Sequence, residues 1–143
     1  MPLIKSNLKL SKRFFSFILK VMKIVLIGEV PSKKNSRINT RSGRSFPNPR
    51  YTQWHDYAIL QVRSQLQGWT APEPCSFTVH FFYGSKRRKD SDNAMSSLLD
   101  MLKDNGTIRD DCWEIVRHIE IFNDYDKGNP RCEIEIEKYE ETK

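Results

Sequence analysis

Two aspartates separated by one residue follow directly on four consecutive cations in the segment KRRKDSDN, residues 86–93. In an extended segment, Asp90 and Asp92 project to the same side because side chains alternate along the chain. Carboxylates held close together repel one another unless a cation neutralises them or one of them takes a proton. Mg²⁺ is bound by one or a few carboxylates together with water and phosphate oxygens. The segment therefore predicts a metal site beside a cationic surface.

A second acidic pair, Asp110-Asp111, follows the next helical segment. It meets Asp90 only if the chain doubles back, and we expect a strand starting near Cys112 to lie beside the strand that ends near Gly84. Carboxylates around a metal next to lysines and arginines favour hydrolysis of a phosphodiester. The metal activates water and neutralises charge on the phosphate, while the cations hold the nucleic-acid backbone.

Ordinary structural roles explain part of this pattern. Asp92 lies at a helix start, where an N-cap carboxylate accepts hydrogen bonds from free N–H groups. That interpretation leaves Asp90 and the second acidic pair unexplained. The cations of the loop at 32–44 are also consistent with a solvated surface.

Composition limits the class of protein. The chain has 143 residues, enough for one domain, and its 29% charged and 38% hydrophobic residues are typical of a soluble globular protein. The net charge of +6 suggests an anionic partner. The three cysteines and three histidines are widely spaced and form no zinc pattern, so reduced thiols in a cytoplasmic protein are expected.

The first 21 residues carry five cations and no acid, and include the apolar run FFSFIL. This run is too short to span a membrane and is followed by no small-residue cleavage site. We therefore expect residues 1–21 to be a basic extension, residues 22–143 to be a single domain, and the protein to have no membrane partner.

The remaining pattern predicts an α+β fold of order β-α-β-α-β-β, with a mixed sheet of about four strands and two main helices. The predicted helices run from Asn48-Pro49 to Gly68 and over 92–104. The predicted strands are KIVLIGEV (23–30), SFTVHFFYG (76–84), WEIVRHIEIF (113–122) and RCEIEIEKY (131–139), and we expect the last two to form an antiparallel pair.

The segments GEVPSKKNSR (28–37) and KDSDNAMSSLLDMLKDNGTIRDD (89–111) resemble the RusA-type Holliday junction resolvases, which are Mg²⁺-dependent homodimeric endonucleases. The similarity covers roughly residues 22–138. It implies a RusA-like fold and the symmetric nicking of two strands of a four-way DNA junction, one by each subunit, in DNA recombination and repair.

The resemblance also implies the roles of individual residues. Asp90, Asp92 and Asp111 match the metal-binding catalytic aspartates, and Mn²⁺ is an alternative to Mg²⁺. Asn93 and Asp110 match supporting positions of the same motifs. The cations that we expect to bind DNA are Lys33, Lys34, Lys86, Arg87, Arg88 and Lys89.

One position departs from the family pattern, because Ser96 stands where the family has a lysine. Lys103 is too far along the helix to replace that lysine, whereas Lys89 or Arg88 could supply the cation. The departure leaves open a DNA-structure-binding module of the same fold with weakened or lost catalysis. A cytoplasmic protein unrelated to nucleic acid, with solvated cations, is a further alternative.

Overall fold

The computed structural model describes residues 21–32 and 37–141. Lys33, Lys34 and all but the last residue of the predicted N-terminal extension lie outside the described residues. The strands are β1 (Val21–Ile27), β2 (Arg37–Asn39), β3 (Ser45–Pro47), β4 (Cys75–Tyr83), β5 (Val116–Tyr125) and β6 (Arg131–Lys138). The described helices are α1 (Pro49–Leu66) and α2 (Ser91–Asn105). The predicted α+β architecture is confirmed, and β2 and β3 add a short antiparallel pair between β1 and α1.

The four long strands form one mixed sheet in the order β1-β6-β4-β5. β4 is parallel to β5, and β6 is antiparallel to β1 and to β4. The prediction that the last two strands pair with each other is therefore wrong. Cys132, Ile134 and Ile136 of β6 are at most 1% exposed, which a central strand achieves, while the largely exposed β5 takes the edge.

Helix α1 begins where its local sequence predicts. Asn48 is the N-cap, its side chain accepts a hydrogen bond from the Arg50 N–H at 3.0 Å, and Pro49 occupies the first helical position. Its buried side chains recur every four residues, at Ala58, Val62 and Leu66. This spacing places one face of the helix in the core.

Helix α1 also covers the outer edge of β1 with two glutamine side chains. Gln65 accepts a hydrogen bond from the Val25 N–H at 2.8 Å and donates one to the Val25 carbonyl at 2.7 Å. Gln61 accepts from the Ile27 N–H at 2.8 Å. These bonds satisfy backbone groups that an edge strand otherwise leaves unpaired, and they fix α1 antiparallel to β1.

Helix α2 connects two parallel strands, β4 and β5. Its apolar stripe is buried against the sheet, and Gly106, in the left-handed region at φ 83°, ends it as predicted. A connection between parallel strands must return from the end of the first to the start of the second. Residues that precede α2 therefore lie at the edge of the sheet where β4 and β5 end, and residues that follow α2 lie at the opposite edge, where β4 and β5 begin.

Most side chains of the core come from one face of the sheet and from the two helices, and Val30, Ile108 and Ile115 of the connecting segments complete it. On the opposite face, Val25, Ile27 and Phe122 are 44–63% exposed. No described helix combines the length and the apolar character that crossing a membrane requires.

Candidate active site at the start of helix α2

Asp90 and Asp92 lie at the junction between the linker after β4 and helix α2. Asp90, not Asp92, is the N-cap residue, with extended backbone angles of φ −98° and ψ 119°. Its side chain makes no capping hydrogen bond, and Asp92 lies in the first turn. Within the described residues, neither carboxylate takes part in a side-chain hydrogen bond or an ion pair. Both remain available to a cation, although a helix start ordinarily uses its aspartate as a cap.

Asp111 lies at the other end of α2. Its Oδ1 is 3.9 Å from Lys103 Nζ, and Lys103 Nζ is also 4.0 Å from Asp100 Oδ1. The expectation that Asp111 meets Asp90 within one chain is wrong, because β5 is parallel to β4 and starts beside Cys75 rather than beside Gly84. Over residues 21–32 and 37–141, no group of three acidic, histidine or cysteine side chains is placed to hold a metal ion.

The neighbouring Asp110 has a local role in the turn. Its Oδ1 accepts a hydrogen bond from the Asp111 N–H at 2.8 Å. That backbone hydrogen bond is the main cause that lowers the pKa of Asp110, and Lys103 and Arg109 contribute as nearby charges. The carboxylate of Asp110 is therefore ionised and held in place beside Asp111.

The cationic run 86–89 divides into two kinds of residue. Lys86 Nζ lies 5.1 Å from the centre of the Tyr125 ring, and Lys89 Nζ lies 5.1 Å from that of Tyr83. Such contacts stabilise a cation over an aromatic face. Arg87 and Arg88 are exposed, and neither guanidinium pairs with a carboxylate of the described residues. These two arginines are thus able to contact an external anion.

Glu29 is a residue of this region that the sequence pattern did not single out. It forms an ion pair with Lys89 and accepts a hydrogen bond from the Gly84 N–H at 2.6 Å. Burial by itself would raise the pKa of Glu29, but the hydrogen bonds from Lys89 and Gly84 outweigh it and hold the pKa below its usual value of 4.5. Glu29 therefore anchors the linker that carries Asp90. Its only signal in the sequence is that it is the single acid among the seven cations of residues 23–50.

A pocket of about 390 Å³ opens beside Asp90. Its walls come from the segment after β1, the end of β4 and the first turns of α1 and α2, and Arg50, Tyr51 and Arg88 line it. Both helices begin at this edge of the sheet, so the positive ends of both helix dipoles face the same region. Asp92 and Asp111 do not line the pocket.

A profile of the family described as "Endodeoxyribonuclease RusA" matches residues 28–137, more than three quarters of the chain. The chain belongs to the RusA endodeoxyribonuclease family. It is also similar to a protein of Aquifex aeolicus (strain VF5) named "Crossover junction endodeoxyribonuclease RusA", with 26% identity over 115 residues, 80% of this chain and 90% of that protein.

The RusA match includes both ends of α2 and therefore all three aspartates that the sequence singled out. It also includes Ser96, at whose position the sequence resemblance predicts a lysine. Ser96 is exposed on α2, four residues after Asp92, so the two side chains lie on the same face of the helix. Lys103, as predicted, is no substitute within the same chain, because it lies in the last turn and contacts Asp111.

Proposed function

We propose that this protein is a metal-dependent endodeoxyribonuclease that resolves Holliday junctions by hydrolysing two strands of four-way DNA symmetrically. The observation that carries the proposal is the pair of unengaged carboxylates, Asp90 and Asp92, next to arginines that are also unpaired within the described residues. Membership of the RusA family supports the same reaction. The proposed catalytic and metal-binding residues are Asp90, Asp92 and Asp111.

The side chains at the start of α2 fit Mg²⁺, with Mn²⁺ as an alternative. Both ions prefer oxygen ligands, and the four carboxylate oxygens of Asp90 and Asp92 are not used by any described residue. A bound ion of this kind activates water and neutralises charge on the phosphate. Asn93, in the same helical turn, adds an amide that can support the site.

Asp111 requires a different explanation, because it lies at the far edge of the sheet from Asp90. A homodimer brings Asp111 and Asp90 together if the turn with Asp110 and Asp111 in one subunit faces the start of α2 in the other. Two-fold symmetry then creates two equivalent sites, each with Asp90 and Asp92 from one chain and Asp111 from its partner. Two sites related by symmetry also suit the cutting of two strands of one junction.

The remaining charged residues bind and orient the DNA in this proposal. Arg87 and Arg88 contact backbone phosphates directly, while Lys86 and Lys89 are held by their aromatic partners and add to the positive field. We also propose that Lys33 and Lys34, which lie outside the described residues, bind DNA. Asp110 holds the turn that carries Asp111 in its conformation through the backbone hydrogen bond.

We also propose a reducing, cytoplasmic setting. Burial raises the pKa of the Cys75 thiol to about 11 and raises that of Cys132 as well, so these thiols are unreactive at neutral pH. We further propose that residues 1–21 are a basic extension and that residues 22–143 are a single domain.

Cleavage of a synthetic four-way junction tests the proposal. Purified protein with Mg²⁺ should cut two opposed strands, EDTA should abolish cleavage, and Asp92→Asn should bind the junction without cutting it. Glu114→Gln, which removes an exposed carboxylate outside the site, is the matched control and should cut normally. Binding by the wild type without cleavage in Mg²⁺ or Mn²⁺ would instead favour a DNA-structure-binding module, for which Ser96 is the specific support.

A further inference from the structure

The pocket beside Asp90 has the size of a ligand site and is not filled by any described side chain. Its volume of about 390 Å³ lies within the roughly 300–1,000 Å³ of small-molecule pockets. Asp90 lies on its wall, so an occupant of the pocket is next to the proposed reacting phosphate. Of the three proposed metal ligands only Asp90 lines the pocket, so the pocket adjoins the proposed metal site and extends beyond it.

Charge on the pocket wall favours an anion. Arg50, Arg88 and Lys89 line it against Glu29 and Asp90, and the charge of Glu29 is already balanced by its ion pair with Lys89. Arg50 and Arg88 form no ion pair with a described carboxylate, although the charge of Arg50 helps to lower the pKa of Glu29. Two guanidinium groups that share one cavity and are not held in ion pairs are suited to a phosphate, which they bind in a planar, bidentate geometry.

A buried hydroxyl points to the same class of ligand. Ser32 Oγ is inaccessible to solvent and has no hydrogen-bond partner among the described residues, although Ser32 lines the pocket. A buried hydroxyl without a partner is unfavourable by itself. A phosphate oxygen would accept the hydrogen bond that this hydroxyl lacks, once binding shifts the groups that cover it.

An aromatic side chain adds a surface for a base. Tyr51 lines the pocket in the first turn of α1, with its ring centre 6.0 Å from that of Trp54 and 6.1 Å from that of His55. These contacts hold the tyrosine ring in place. A rigid aromatic ring next to a phosphate site is the arrangement by which proteins stack an unpaired base.

We propose that this pocket binds one nucleotide next to the scissile phosphate, with its phosphate on Arg50, Arg88 and Ser32 and its base, removed from the DNA stack, on Tyr51. The inference rests on the proposed function, because it places DNA at the start of α2. It assigns to Arg50 and Tyr51 a part in selecting the position of the cut, since a pocket of fixed size and shape favours some bases over others.

Fluorescence of 2-aminopurine tests the pocket without requiring cleavage. The base analogue is placed in turn at each position within three nucleotides of the crossover, and each junction is bound in EDTA. One position should change its emission on binding, Tyr51→Ala should abolish that change and weaken binding about tenfold, and Tyr51→Phe should restore both. Tyr51→Phe keeps an aromatic ring at this position. Recovery in that variant therefore shows that the ring stacks on the base, and that loss of the fold does not explain the effect of Tyr51→Ala.

The role of Arg50 is tested by the dependence of junction binding on salt concentration. Arg50→Gln should reduce the slope of log affinity against log salt by about 0.9, and Lys138→Gln, which removes an exposed cation at the opposite edge, should leave the slope unchanged. The proposal is overturned if no 2-aminopurine position distinguishes the wild type from Tyr51→Ala. That result together with normal cleavage would overturn the pocket proposal and leave the nuclease proposal intact. A signal that depends on Tyr51 without any cleavage would support the pocket proposal and overturn the nuclease proposal.

Discussion

Lys103 and Asp111 lie side by side, with 3.9 Å between Nζ and Oδ1. The contact fixes Asp111 near the last turn of α2, whereas Asp90 precedes its first turn. A helix of 15 residues is about 22 Å long. Helix α2 thus holds Asp90 and Asp111, two proposed ligands of one metal ion, apart within one chain. In the proposed homodimer, the second subunit supplies Asp111 as the third carboxylate.

Mixing two inactive variants tests this shared site. Asp92→Asn and Asp111→Asn should each lose activity by more than the roughly 10–100-fold cost of losing a residue that only orients a metal ligand. When the two are denatured and refolded together, about half of the dimers combine one chain of each kind, as random pairing requires. Such a mixed dimer has one site with both changes and one site with neither, so nicking of a single strand should return.

The same experiment has a clear contrary outcome. If each site were built within one chain, both sites of the mixed dimer would carry one change, and no nicking would return. Size-exclusion chromatography of each refolded sample checks that the dimers form. Glu114→Gln mixed with Asp92→Asn is the control for denaturation and refolding, and this mixture should be active under either arrangement.

The sequence resemblance predicts a lysine at the position of Ser96, and this lysine can be introduced by substitution. Ser96 is exposed one turn after Asp92, so a lysine there can reach a phosphate held at the start of α2. A hydrogen bond to a charged group contributes about 1.5–3 kcal/mol, and Ser96→Lys should raise kcat/KM for the junction by roughly tenfold or more.

The control for this change is Ser64→Lys, which adds the same charge to an exposed position of α1. It should leave kcat/KM nearly unchanged. Equal effects of the two substitutions would mean that the added charge acts through the overall field of the protein. No effect of Ser96→Lys would show that another cation already does the work of the family lysine.

The fold offers a prediction that is independent of DNA. Gln65→Ala removes both hydrogen bonds to the exposed backbone of Val25, and an intramolecular hydrogen bond that water can replace contributes about 0.5–1.5 kcal/mol. The free energy of unfolding, measured by urea titration, should fall by about this amount. Gln53→Ala, an exposed glutamine of the same helix, should change it by less than about 0.5 kcal/mol, and equal losses would argue against the edge contact.

Local signals in the sequence predicted the elements well. Asn48-Pro49 marks the start of α1 and Asn105-Gly106 the end of α2, because caps depend on a few adjacent residues. Strand order was not predictable in the same way. The alternation of glutamate and apolar residues in β6 suits an edge strand and a central strand equally, and only the packed sheet decides between them.

The same distinction applies to the residues of the candidate site. Asp90, Asp92 and the cationic run were found because they are consecutive. Glu29 was missed because it lies 60 residues from its partner Lys89 and joins it only through the fold. Arg50 and Tyr51 were missed for the same reason, since a helix start carries no sign of the cavity that it faces.

The ion pair of Glu29 makes stability depend on pH. Folding lowers the pKa of Glu29, so the unfolded chain takes up the proton first as the pH falls. The stabilisation is complete above the unfolded pKa, near 4.5, and is lost as the pH falls through the folded value. Glu29→Gln should therefore reduce the free energy of unfolding at neutral pH, by about 1.5–3 kcal/mol for a charged hydrogen bond, and the difference from the wild type should shrink below about pH 4.5.

Urea titrations of both proteins at a series of pH values measure this difference directly. Glu114→Gln serves as the control, since that carboxylate is exposed and has no partner among the described residues; its effect should be small at every pH. A deficit of Glu29→Gln that stays constant from neutral to acid pH would mean that the side chain contributes by packing and not by its charge. In that case the linker before Asp90 would be held by contacts other than the Glu29–Lys89 pair, and lowering the pH would leave the geometry at the start of α2 unchanged.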